Sequence, residues 1–208
     1  MTLLALHAGD FGAAVAARLI EDDPDARELS LLADAKAIED AVARSAFVAV
    51  ATWRPYVDLC QWLDDVCHRH AVRWSVVEIA GTTLSCGPLI APRLGVACYH
   101  CYVARLDAHR REGDRRRVLR QAYAADAGLG APGHTPAMLA IAEAALRDGA
   151  LGGVPGRFRH VDVLSGSVLE SELIPLHDCP RCRPPKPGHD PKRRYVDVMS
   201  AELEKLIP

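Results

Sequence analysis

The opening of the chain, Thr2-Leu3-Leu4-Ala5-Leu6-His7-Ala8-Gly9-Asp10-Phe11-Gly12-Ala13-Ala14-Val15, reads as a short apolar run, a glycine turn and an alanine-rich segment.

 Residues 2–6 predict a strand and residues 13–20 a helix with Val15, Leu19 and Ile20 turned to a core. Pro24 ends that helix, because proline cannot continue it and holds its predecessor extended. Residues 29–34 predict a second strand, 36–43 a short helix, and 46–51 a continuous apolar strand of the kind buried in parallel sheets. Val57, Cys60, Leu63, Val66 and Cys67 recur at helical spacing and place a helix over 56–70. Residues 73–79 and 82–86 predict two more strands. This alternation predicts an α/β fold: a Rossmann-like, mostly parallel sheet with helices on both faces.

The pattern changes after Gly87-Pro88. Residues 98–126 read as largely helical. Thr135-Pro136 is an N-cap followed by proline at the first helical position, and Gly149 is a stop signal, so a helix is expected over 136–148. Residues 158–164 and 168–174 flank Ser165-Gly166-Ser167 as a β-hairpin. Residues 183–193 form a proline-rich basic linker, and 200–206 predict a terminal helix. The expected organisation is therefore an α/β part over 1–90, a helical and hairpin part of the same domain over 91–183, and a tail over 184–208.

Composition narrows the function classes. The chain has 208 residues, 50% hydrophobic and 25% charged, which is a globular rather than a disordered composition. A net charge of −2 gives no general attraction to nucleic acid or anionic membrane. No apolar run reaches the ~18–20 residues of a membrane span, and no basic region precedes an apolar one at the N-terminus. A cytoplasmic, soluble protein is expected. The excess of arginine over lysine is read as genomic background.

Seven cysteines stand in this chain. Four form two pairs, Cys98-Tyr-His-Cys101 and Cys179-Pro-Arg-Cys182. A two-residue gap lets two thiolates on one turn reach one ion, and two such pairs supply four soft ligands, which suits a tetrahedral structural zinc. Such a site is coordinatively full, so its use is to staple distant segments. The alternative is two unrelated pairs, one of them a redox dithiol. His100 and His177 stand nearby as substitute donors. Cys60, Cys67 and Cys86 lie on apolar faces and read as core thiols.

His7-x-Gly9-x-x-Gly12 matches the dinucleotide fingerprint except at its first glycine, and Asp34 is placed where an acidic residue would meet a ribose. Gly9, Gly12 and Asp34 are thus the candidate nucleotide-binding residues, in degenerate form. The missing glycine and the negative charge of Asp10 at the helix start both oppose phosphate binding, so ATP is not expected as a cofactor. Residues 110–120 hold six arginines beside Glu112 and Asp114. They read as a solvated face, or as a patch for an acidic partner.

Two segments carry a resemblance: Cys86-Gly87-Pro88 running on to Cys98-Tyr99-His100-Cys101 and Arg105, and Pro175-Leu-His-Asp-Cys179-Pro180-Arg181-Cys182. Together they resemble the ThiF-like proteins, related in fold to ubiquitin-activating enzymes, that partner YcaO cyclodehydratases in making thiazole/oxazole-modified peptides. The resemblance covers roughly residues 1–183. It implies that Cys98, Cys101, Cys179 and Cys182 bind structural zinc. It further implies a non-catalytic scaffold that positions or activates a YcaO-type, ATP-dependent enzyme, with a precursor peptide as a possible second partner. Homodimerisation is expected by the same analogy. The family's larger members begin with a winged-helix domain that grips the leader peptide; here the Rossmann-like strand starts at residue 2, so a short form without it is expected. The alternative function is an adenylating enzyme acting on a peptide or carrier-protein C-terminus.

Overall fold

The computed structural model describes residues 2–21, 23–92, 96–108, 110–177, 179–184 and 200. Among them, seven strands form one sheet in the order β2-β1-β3-β4-β5-β6-β7. The strands are β1 (Leu3–Ala8), β2 (Arg27–Ser30), β3 (Phe47–Thr52), β4 (Arg73–Ala80), β5 (Thr83–Ile90), β6 (Arg157–Asp162) and β7 (Val168–Glu172). The helices are α1 (Gly9–Glu21), α2 (Ala35–Val42), α3 (Val57–His70), α4 (Tyr99–Ala108), α5 (Arg110–Ala125) and α6 (Pro136–Ala150). Strands β2, β1, β3 and β4 run parallel, and β5, β6 and β7 extend the sheet antiparallel. This is the α/β architecture expected from the strand–helix alternation, with an antiparallel wing added by the hairpin.

Both faces of the sheet are covered. Leu4, Leu6, Val48, Val50, Trp74 and Val76 pack against residues of α2, α3 and α4. Leu3, Ala5, Phe47, Ala49 and Val77 pack against α1 and α6. Every residue of β3 is buried, as a central parallel strand requires. Cys60, Cys67 and Cys86 are buried free thiols. Burial pushes the Cys60 and Cys67 thiols up and Cys86 to about 12, so they stay protonated.

Several boundaries differ from expectation. Helix α1 starts at Gly9 rather than residue 13, directly after β1, because Gly9 turns the chain with φ +71. Strand β2 ends at Ser30, where a turn closes with the Ala33 N–H donating to the Ser30 carbonyl at 3.0 Å, and Asp34 is the N-cap of α2, accepting from the Ala37 N–H at 3.1 Å. Strand β5 runs past Gly87-Pro88 to Ile90, and its pairing with β4 shifts register there. At Gly87 a Cβ would stand 2.6 Å from the Arg157 carbonyl oxygen of β6. Gly149 does not stop α6, which continues to Ala150; the glycine lets the helix lie against the Phe47 ring. The residues 185–199 and 201–208, which include most of the expected linker and terminal helix, lie outside the described residues.

Gly12 sits where α1 crosses β3, and a Cβ there would stand 2.3 Å from the Ala51 carbonyl oxygen. Gly12→Ala is expected to cost about 1–3 kcal/mol through this clash. Thr135→Ala, which removes only the α6 cap to the Met138 N–H, is expected to cost about 1 kcal/mol. Urea midpoints at unchanged slope check both.

Candidate metal centre

The two cysteine pairs meet. Cys98 lies just before α4, Cys101 in its first turn, and Cys179 and Cys182 in the segment leaving the β6–β7 hairpin. The four Sγ atoms all lie within 4.8 Å of one another. Cys98 and Cys101 are 3.8 Å apart, Cys98 and Cys179 3.7 Å, and Cys101 and Cys182 3.5 Å. Thiolates at the corners of a tetrahedron with metal–sulfur bonds of ~2.3 Å stand ~3.8 Å apart, whereas a disulfide needs ~2.05 Å. The donor set therefore fits a tetrahedral divalent ion and does not fit a disulfide.

Backbone amides surround these sulfurs. The Leu176 N–H donates to Cys101 Sγ at 3.4 Å. The Cys101 amide serves Cys98, the Cys98 amide serves Cys182, and the amides of Cys182 and Arg181 serve Cys179. Burial raises the Cys98 thiol and pushes Cys182 up to about 11. Burial also opposes ionisation of Cys179, but its amide donors and the Cys101 side chain outweigh that and lower it to about 7. Ionising all four groups in this space needs a cation to offset their repulsion.

A residue that the sequence patterns did not single out ties the two pairs to the sheet. Asp64 on α3 is 1% exposed. Its Oδ1 accepts from Trp74 Nε1 of β4 at 3.0 Å. Its Oδ2 accepts from the Tyr99 N–H at 3.2 Å and from Arg181 Nη1 at 2.7 Å. One buried carboxylate thus holds the helix start beside Cys98 and the residue between Cys179 and Cys182. Arg181 also pairs with Asp65, whose carboxylate stands 3.7 Å from His100 Nε2. His100 is consequently directed to Asp65 and is not among the clustered donors. Arg105 on α4 donates to the carbonyls of Ile174 at 2.7 Å and Pro175 at 3.2 Å, which fixes the exit of β7.

The candidate nucleotide residues lie at the starts of α1 and α2. The Trp53 indole lies against Gly9, where a Cβ would meet it at 2.4 Å, and its other edge lies against Gly130. Gly12 serves the α1–β3 crossing, and Asp34 serves as the α2 cap. Next to Trp53, the buried Arg54 donates to the carbonyls of Asp126 at 2.8 Å and Leu129 at 2.7 Å. Its guanidinium lies 4.9 Å from the Tyr56 ring and 5.1 Å from the Tyr123 ring. The 126–133 loop is thereby drawn over the carboxyl end of β3. The arginine run divides: Arg117 pairs with Asp114 at the surface, while Arg116 and Arg120 border a cavity between α5 and the sheet.

No family model and no curated protein matches the chain. Solved structures do. The heterocyclase TruD superposes with a TM-score of 0.58 at 19% identity over 88% of this chain and 27% of its own. The E. coli microcin synthetase McbBCD complex gives 0.63 at 10% identity, over 86% of this chain and 67% of that one. E. coli MccB gives 0.60 at 12% identity, over 91% and 60%. These likenesses establish a shared fold. The chain spans about a quarter of the length of the TruD chain.

Asp64→Asn keeps the shape and removes the charge that pairs with Arg181. It is expected to leave the four thiols in place while weakening metal binding about 10–100-fold, as loss of an orienting partner does. Competition with a chromophoric chelator checks this, with Cys179→Ser as the comparison that removes a ligand outright.

Proposed function

We propose that this chain is a zinc-stapled, non-catalytic scaffold in a complex that builds azolines on a ribosomal peptide. In this reading it positions or activates a YcaO-type, ATP-dependent cyclodehydratase. The observation that carries it is the conjunction of a four-cysteine cluster with a fold shared by the heterocyclase TruD and the McbBCD microcin synthetase. Zinc is the metal of choice because four thiolates in a closed tetrahedron suit a redox-inert ion and leave no position for substrate. Cys98, Cys101, Cys179 and Cys182 would hold it. Bound there, the ion supplies a cross-link rather than chemistry.

The protein's own residues support a scaffolding role. Asp64, Arg181 and Arg105 fix the hairpin exit to α3 and α4. The Trp53 indole lies against Gly9, and the cavity beside it carries the acidic Asp10, which opposes a pyrophosphate. Nucleotide chemistry is therefore assigned to the partner enzyme. Binding of a precursor peptide and homodimerisation belong to the same reading.

The second reading, an adenylating enzyme acting on a peptide or carrier C-terminus, is favoured by the fold shared with MccB and by the Gly9-x-x-Gly12 start of α1. The two readings separate experimentally. The scaffold is expected to co-purify with a YcaO-type enzyme encoded beside it, to raise that enzyme's turnover, and to contain about one zinc per chain. It is expected to give no ATP–pyrophosphate exchange by itself. Exchange that Gly9→Ala abolishes, together with no effect on the YcaO-type enzyme, would overturn the scaffold in favour of the adenylating enzyme.

A further inference from the structure

The cavity between α4, α5 and strands β4, β5 and β6 has a volume of about 260 Å³. Glu78 lines it. Along β4 the alternation places Glu78 on the same face as Trp74 and Val76, beneath α4, and it is only 6% exposed. Its Oε2 is buried and has no hydrogen-bond partner among the described residues. The same holds for the Nε atoms of Arg116 and Arg120, both cavity-lining residues of α5; the Arg120 Nη2 is held by Asp107 at 3.0 Å. Buried polar atoms without partners are rare in folded proteins, and here both signs of charge face one cavity.

Tyr102, Val103, Leu106, Leu119 and Tyr123 give it an apolar and aromatic wall, while Ser85, Arg115 and His160 are among its further polar residues. The volume lies just below the ~300–1,000 Å³ of pockets for drug-sized ligands, which favours a small molecule over a protein segment. An anion alone would be repelled by Glu78, and a cation alone by the arginines. We propose that this cavity binds a free α-amino acid with an apolar side chain. Glu78 takes the ammonium group, Arg116 and Arg120 take the carboxylate, and the tyrosine and leucine walls take the side chain. His160, also in the lining, has its pKa lowered by burial and by Arg116, so it adds no further cation beside the arginines. Glu78 itself is pushed up to about 7 by burial, against the pull of Arg116 and Arg120, and an arriving ammonium group would favour its ionised form.

Titration calorimetry of the full chain with L-phenylalanine and L-leucine tests the site. Saturable binding is expected. Phenylalaninamide, which lacks the carboxylate, and N-acetylphenylalanine, which lacks the ammonium, are each expected to bind at least about tenfold more weakly. Glu78→Gln is expected to weaken phenylalanine binding by about tenfold or more while leaving N-acetylphenylalanine unchanged, and Arg116→Gln to weaken phenylalanine but not phenylalaninamide. Thermal melts of each variant beside the parent separate lost binding from lost fold. No saturable binding of either amino acid to folded parent protein would overturn the proposal. So would equal binding of the blocked analogues, or phenylalanine binding that both substitutions leave intact.

Discussion

Returning Cys179 to 3.7 Å from Cys98 constrains everything that lies between them. The intervening chain must lay down two helices, cross the sheet with α6, and run out and back along β6 and β7 before it closes. A metal held by all four thiolates would cross-link a loop of this length and remove about 4–5 kcal/mol of chain entropy from the unfolded state in the loop-closure treatment. The closure also decides where the antiparallel wing goes. Its last strand leads to the cysteines, so β6 and β7 extend the edge beyond β5. Asp64 makes this closure part of the core. Through Trp74 it reaches β4, and through Tyr99 and Arg181 it reaches both cysteine pairs.

A second organising contact lies at the carboxyl end of the parallel strands. Trp53 is held between Gly9 and Gly130, and Arg54 fastens the 126–129 segment by two carbonyls. Glycine is required on both sides because a Cβ at either position would run into the indole. In dinucleotide-binding folds this crevice receives the ligand. Here Trp53 and the 131–134 loop line a cavity of about 250 Å³ beside Gly9 and Asp10. A second cavity lies one strand further along, where Glu78 faces α5.

The local signals explain which parts of the fold were legible. β3 is a short, β-branched-rich apolar run ending in Thr52, and its length favours a buried strand over a helix. Helix α6 carried its own cap in Thr135, and the 165–167 turn is closed by Asp162, which accepts from the Leu164 and Ser165 amides. Boundaries failed where a residue's role depended on a distant neighbour. Gly149 looked like a helix stop because nothing local reveals that Phe47 packs against it. Asp34 caps α2, a role that its sequence offset alone does not distinguish from meeting a sugar.

The sequence by itself determined the alternation that makes the sheet and the two pairs of cysteines that come together, because both are written in short-range spacing. Only the tertiary structure decided which other groups matter. Asp64 is one acidic residue on an amphipathic helix until folding brings Trp74, Tyr99 and Arg181 to it. Glu78 is one polar residue in an apolar strand until α4 and α5 close over it. Burial and charge pairing arise between segments far apart in the chain, and such contacts leave no periodic trace in the sequence.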